Sequence, residues 1–123
     1  MVRYPGLTLR VLAGDSPAMG PGKARLVELI DSTGSISAAA REMDMSYRRA
    51  WQLVDAINSS FTQPVVVTAI GGKRGGGTVV TDFGKRMVEA YRHMESKASA
   101  AIAADLGKYA PHLRTRAPKS KSR

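Results

Sequence analysis

Cysteine is absent from this 123-residue chain. That excludes disulfide frameworks and thiolate metal sites, and it fits a reducing cytoplasm, the compartment expected for the chain. Histidine is scarce: His93 and His112 lie nineteen positions apart, and neither gives a serine a credible general base. No catalytic residue, metal site or cofactor is therefore expected, and the chain reads as a non-enzyme. Long hydrophobic runs are missing too. Nothing approaches the roughly 20 apolar residues that span a bilayer, and the first 20 residues are too polar for a signal peptide. No membrane partner is expected.

Acidic residues are few beside basic ones, ten against nineteen, for a net charge of +9. The excess is uneven. Residues 23–60 and 82–107 each balance, Lys73 and Arg74 stand without acids in 61–81, and 108–123 hold six basic residues and no acid. Most of the net charge thus sits at the carboxyl end, so a nucleic-acid reading has to rest on where individual Arg and Lys side chains fall. The apolar fraction of 43% is enough for the core of one small domain.

Leu7–Leu12 alternates like a half-buried strand, and Gly14-Asp15-Ser16-Pro17 reads as a turn. Pro21 suits the first position of a helix whose Leu26, Val27, Leu29 and Ile30 recur at helical spacing, and Gly34 supplies its stop. Ser35 or Ser37 is suited to cap a short helix over Ala38–Met43, and Ser46 to cap a third through about Ser60. Pro64 ends helical character, Val65–Thr68 and Thr78–Val80 are strand-like, and Gly71–Gly77 between them reads as a hairpin tip. A P-loop is excluded there, because it would need Gly-Lys-Ser/Thr opening a helix. Thr81 or Asp82 caps a last helix predicted to run to about Tyr109. Residues 1–110 are read as one domain and 111–123 as a basic tail, expected to be disordered.

Three helices followed by a hairpin is the order of a winged helix-turn-helix, mainly α with a small β wing, in which the third helix enters the major groove. Its spacing is checkable. Ala39 and Ala40 are small where the second helix must be crossed closely, Met43 and Met45 flank the turn, and Ala50 and Leu53 follow on the inner face. Asp44 stands where glycine is common, but aspartate tolerates left-handed backbone. Turned outward are Ser46, Tyr47, Arg48, Arg49, Gln52 and Asp55. Tyr47, Arg48 and Gln52 are the candidates for base edges; Ser35, Ser37, Ser46 and Arg49 suit the phosphate backbone. Trp51 is assigned to core or wing packing.

Three segments then stand out together: Gly34-Ser35-Ile36-Ser37 leading into Ala38-Ala39-Ala40-Arg41; Met45-Ser46-Tyr47-Arg48-Arg49-Ala50-Trp51; and Gly71-Gly72-Lys73 with Gly75-Gly76-Gly77 before Thr81-Asp82-Phe83-Gly84. In combination they resemble the N-terminal DNA-binding domain of the ModE family of molybdate-responsive regulators, from about Leu7 to about Met94. The resemblance implies a winged helix-turn-helix that dimerises partly through its long C-terminal helix and binds an inverted repeat in promoter DNA. It places Ser46–Arg49 on the recognition-helix motif and Lys73 on the wing motif, with Arg74 departing from a usual small residue. The family's oxyanion site lies in a second, β-rich domain, and no residue here matches it, so molybdate is not expected to bind through this chain.

The last helix carries its own expectation. Met87, Tyr91, Met94, Ile102 and Leu106 form a stripe, and a helix of about 28 residues, roughly 40 Å long, outruns so small a domain. A second copy is the simplest partner, so a homodimer is expected with those five residues at its interface. The alternative function is a nonspecific or architectural DNA-binding protein driven by the basic tail.

Overall fold

The computed structural model describes residues 6–69 and 77–114. It opens on a hairpin, β1 (Val11–Ala13) and β2 (Ser16–Met19), antiparallel with Ala13 opposite Ser16. Gly14 begins the two-residue loop at φ 63°, a conformation that glycine alone adopts without strain. The sequence predicts a longer strand over 7–12 and a turn through Pro17. Instead the turn is just Gly14-Asp15, and Ser16-Pro17 already belong to the returning strand, which buries Ala18 and Met19.

Helix α1 (Pro21–Thr33) follows, with proline at its start and Gly34 ending it at φ 73°, where the Gly34 N–H donates to the Ile30 carbonyl at 2.8 Å. Ser35 caps α2 (Ile36–Glu42): its Oγ accepts from Ala38 N at 3.0 Å. Ser46 does the same for α3 (Tyr47–Ser60), accepting from Arg49 N at 3.0 Å. Between them Asp44 takes φ 58°, and Met45 N reaches back to the Ala40 carbonyl at 3.0 Å. Ala39, Ala40 and Ala50 are fully enclosed, so α2 and α3 approach as closely as the turn pattern requires.

Strands β3 (Val66–Ala69) and β4 (Gly77–Val80) pair antiparallel, Val66 with Val80 and Val67 with Val79. The period of two buries Val66 and Val80 and exposes Val67 and Val79. Asn58 of α3 locks this wing in place: its Oδ1 accepts from Val65 N and Val66 N at 2.8 and 3.1 Å, and its Nδ2 donates to the Val66 carbonyl at 2.9 Å. Thr78 N ties the other strand to the Gly34 carbonyl at 3.2 Å. The whole is a winged helix-turn-helix.

Thr81 caps α4 (Asp82–Ala101), accepting from Gly84 N at 2.9 Å while its hydroxyl donates to the Pro64 carbonyl at 2.8 Å. Gly84 lies so close to the Val65 carbonyl and side chain that a Cβ has no room. Arg92 of α4 grips both carboxylate oxygens of Glu28 on α1, at 2.9 and 2.8 Å, and bonds Glu95 at 2.9 Å.

Two expectations for the last helix are corrected. It is not continuous to Tyr109: the backbone breaks at Ile102 (φ −103°, ψ 7°) and restarts as α5 (Ala103–Tyr109), followed by a 3-10 turn, Ala110–His112. Tyr91 is not an interface residue on the chain's outside. It is 1% exposed in the chain's own core, and its hydroxyl donates to the Leu9 carbonyl at 2.6 Å. The apolar stripe turns inward at that point because the segment before β1 lies across α4. Leu106 is partly covered by the same segment, with its Cδ1 against Gly6. Met87 and Ile102 are half-buried, and Met94 is 42% exposed.

Candidate nucleic-acid interface

Helix α3 presents three rows to the surface, and the chemistry differs from row to row. At 3.6 residues per turn, Arg48, Gln52, Asp55 and Ser59 share the row opposite the buried Ala50, Val54 and Ile57. All four are exposed. None of the ion pairs among the described residues involves Arg48, so its guanidinium retains all five donors for an outside acceptor.

The second row, Tyr47, Trp51 and Asn58, faces the wing. Tyr47 and Trp51 meet edge to face, 6.4 Å between centroids at 82°. Trp51 packs against the hydrophobic core and lines a recess with Val66, Val67 and Thr68 of the wing, in line with the core or wing packing expected for it. Tyr47 is 55% exposed and lines an open cleft of about 370 Å³ with Gly34, Ser35, Ile36, Ser37, Gly77 and Thr78. Of the hydroxyl candidates, Ser35 and Ser46 spend an acceptor lone pair on capping, and each keeps its O–H proton for donation. Ser37 is exposed at the start of α2. Tyr47, Ser35 and Ser37 thus line one cleft between the wing base and the helix-turn-helix. Lys73 and Arg74, expected at the wing tip, lie outside the described residues.

The third row carries Arg49, exposed on the side of α3 away from the wing. Sequence spacing gave no sign of what stands beside it. Lys23 of α1 has its ammonium depressed below the usual lysine value, by burial first and then by the Arg10 and Arg49 guanidiniums. Arg10, Lys23 and Arg49 are remote in sequence, and α3 packs against both β2 and α1.

Among the described residues no three His, Cys, Asp or Glu gather as a metal would require, and no helix is long and apolar enough to cross a membrane.

No family model matches the chain. Individual relatives do. It is 45% identical over 86 residues to the molybdenum-pterin-binding protein MopB of Rhodobacter capsulatus, covering 70% of this chain and 32% of that protein. It is 40% identical over 85 residues to the molybdenum transport protein ModE of Azotobacter vinelandii, covering 69% of this chain and 32% of that one. The DNA-binding transcriptional dual regulator ModE of Escherichia coli K12 is 37% identical over 71 residues, 58% of this chain and 27% of the regulator. The chain spans about a third of the length of the curated relatives it matches. Over the matched stretch it belongs to the ModE family, as the counterpart of the family's N-terminal DNA-binding region.

Proposed function

We propose that this chain is the DNA-reading part of a transcriptional regulator, binding a promoter site sequence-specifically as a homodimer. The observation that carries the reading is the outward row of α3. Arg48 and Gln52 stand exposed at the start of a helix held by a helix-turn-helix on one side and a wing on the other. Arginine pairs bidentately with the O6 and N7 of guanine, and glutamine with the N6 and N7 of adenine. Tyr47 reads or braces from the wing side, while Ser35, Ser37, Ser46 and Arg49 hold phosphates; Lys73 and Arg74, between the two wing strands in sequence, are assigned the same role. The similarity to transcriptional regulators of the ModE type supports the same role.

The dimer reading rests on what α4 and α5 leave uncovered. Met94, Tyr109 at 64% exposure and Leu113 are large apolar side chains on the outside of the carboxyl-terminal part, flanked by half-buried Met87, Ile102 and Leu106. A two-fold pairing there sets two recognition helices one DNA turn, or a multiple, apart. Residues 1–110 act as the domain, and the basic residues of 111–123 add affinity for any DNA without choosing sequence.

Selection from a pool of random duplexes tests the reading. A regulator enriches one motif, built as an inverted repeat, and loses roughly 1–3 kcal/mol per mismatched base pair. Recovery of no motif, with affinity following salt alone, marks nonspecific coating instead.

A further inference from the structure

We propose that Asn58 is a positioning residue for DNA reading: its amide sets the angle between α3 and the wing, so that the two meet one duplex in a single register. The inference deepens the DNA-reading role and rests on it.

Two elements that engage one duplex together must be held at a fixed angle to each other. Arg48 and Gln52 stand exposed on α3, and the wing lies on the flank of Trp51 and Asn58. A binding constellation works only while its parts stay within about 0.5 Å and 10–20° of the productive geometry. Packing alone does not supply that at this joint. A recess of about 380 Å³ opens there, walled by Trp51 and Val54 of α3 and by Val66, Val67 and Thr68 of β3. Side chains that face a gap forgo the contacts that would otherwise fix the angle.

The amide of Asn58 bridges the joint. Its Oδ1 accepts from two successive backbone N–H groups, Val65 at 2.8 Å and Val66 at 3.1 Å, while its Nδ2 donates to the Val66 carbonyl at 2.9 Å. Three bonds to one planar group fix direction as well as distance, because hydrogen bonds weaken steeply when bent. Among the described residues, Asn58 is the one side chain of α3 hydrogen-bonded to the wing. The wing's other ties go elsewhere. Thr78 N bonds the Gly34 carbonyl between α1 and α2, and Thr81, which caps α4, bonds the Pro64 and Val65 carbonyls. None of these refers the wing to α3. Ala69 stands three residues beyond Val66 on β3, about 10 Å at the rise of a strand, so a tilt at Asn58 grows along the wing.

The experiment uses the full chain and two duplexes of about 30 base pairs, three helical turns. One is a duplex recovered by selection from random sequence, and the other has its bases scrambled. Affinity for both is measured for wild type, Arg48→Ala, Asn58→Ala and Asn58→Asp, at a temperature where circular dichroism shows each chain folded. Asn58→Ala removes all three bonds. It is expected to cut the preference for the selected duplex over the scrambled one about tenfold, the worth of one mismatched base pair, while renewed selection recovers the same motif. Arg48→Ala should instead change the motif. Asn58→Asp keeps the acceptor and gives up the donor to Val66, so it should lose preference in the same sense; it carries the test if Asn58→Ala fails to fold. Should both duplexes weaken by one factor, or neither weaken, Asn58 serves the fold alone and the positioning role is overturned. A changed motif for Arg48→Ala in that case leaves DNA reading standing. If selection with wild type recovers no motif, both fail.

Discussion

Asp44 sits at φ 58° in the turn before α3, the non-glycine residue with positive φ among those described. Aspartate tolerates that backbone because its short side chain bonds locally, yet glycine adopts it at less cost. Asp44→Gly is therefore expected to raise stability by up to about 1 kcal/mol and Asp44→Val to lower it by more than that, read from thermal unfolding. This residue was legible in the sequence, since the spacing of Ala39, Ala40, Met43 and Met45 marks where the turn must fall. Gly84 was not. It stood in a recognisable Thr-Asp-Phe-Gly run, but only packing reveals that the Val65 carbonyl occupies the space of a side chain. Gly84→Ala should cost roughly 1–3 kcal/mol, by forcing the start of α4 away from the wing. A denaturation midpoint equal to wild type would contradict that.

The order of elements could be read from caps and periodicity, because Ser35, Ser46 and Thr81 each cap a helix through a bond to a backbone N–H three residues on. The misses have a common cause. Leu9 and Gly6 are remote in sequence from Tyr91 and Leu106, and nothing local announces that the first segment crosses the last helices. That crossing draws Tyr91 inward, although a helical stripe by itself looks the same whether a partner or the chain covers it. The break at Ile102 had no proline or glycine signal at that position. A consequence is testable at this level. Burial first, and the neighbouring Glu95 carboxylate second, raise the Tyr91 hydroxyl above its ordinary value of 10.0. An acid whose folded form holds its proton longer stabilises the fold fully below the unfolded value and loses that contribution as pH climbs past it. Unfolding free energy should therefore fall above about pH 10, and Tyr91→Phe should flatten that fall. At neutral pH the same substitution should cost about 1 kcal/mol for the lost bond to Leu9. An identical alkaline decline in the variant would show that another tyrosine carries it.

In the proposed regulator, a DNA-reading head is joined to an apolar end suited to a second copy. Met94→Asp places a charge on that end without touching α3, so sedimentation should show monomers where wild type gives dimers. Its affinity for an inverted repeat should drop while single half-sites bind as before. Retained dimers would move the interface elsewhere. The central claim, that the exposed row of α3 reads bases, is tested most directly by profiling base preference at every position of the selected site for wild type and Arg48→Ala. The account predicts that preference vanishes at one base pair, repeated symmetrically in each half-site, with about 1–3 kcal/mol lost there and the other positions kept. An unaltered profile, or a uniform loss across all positions, would contradict it.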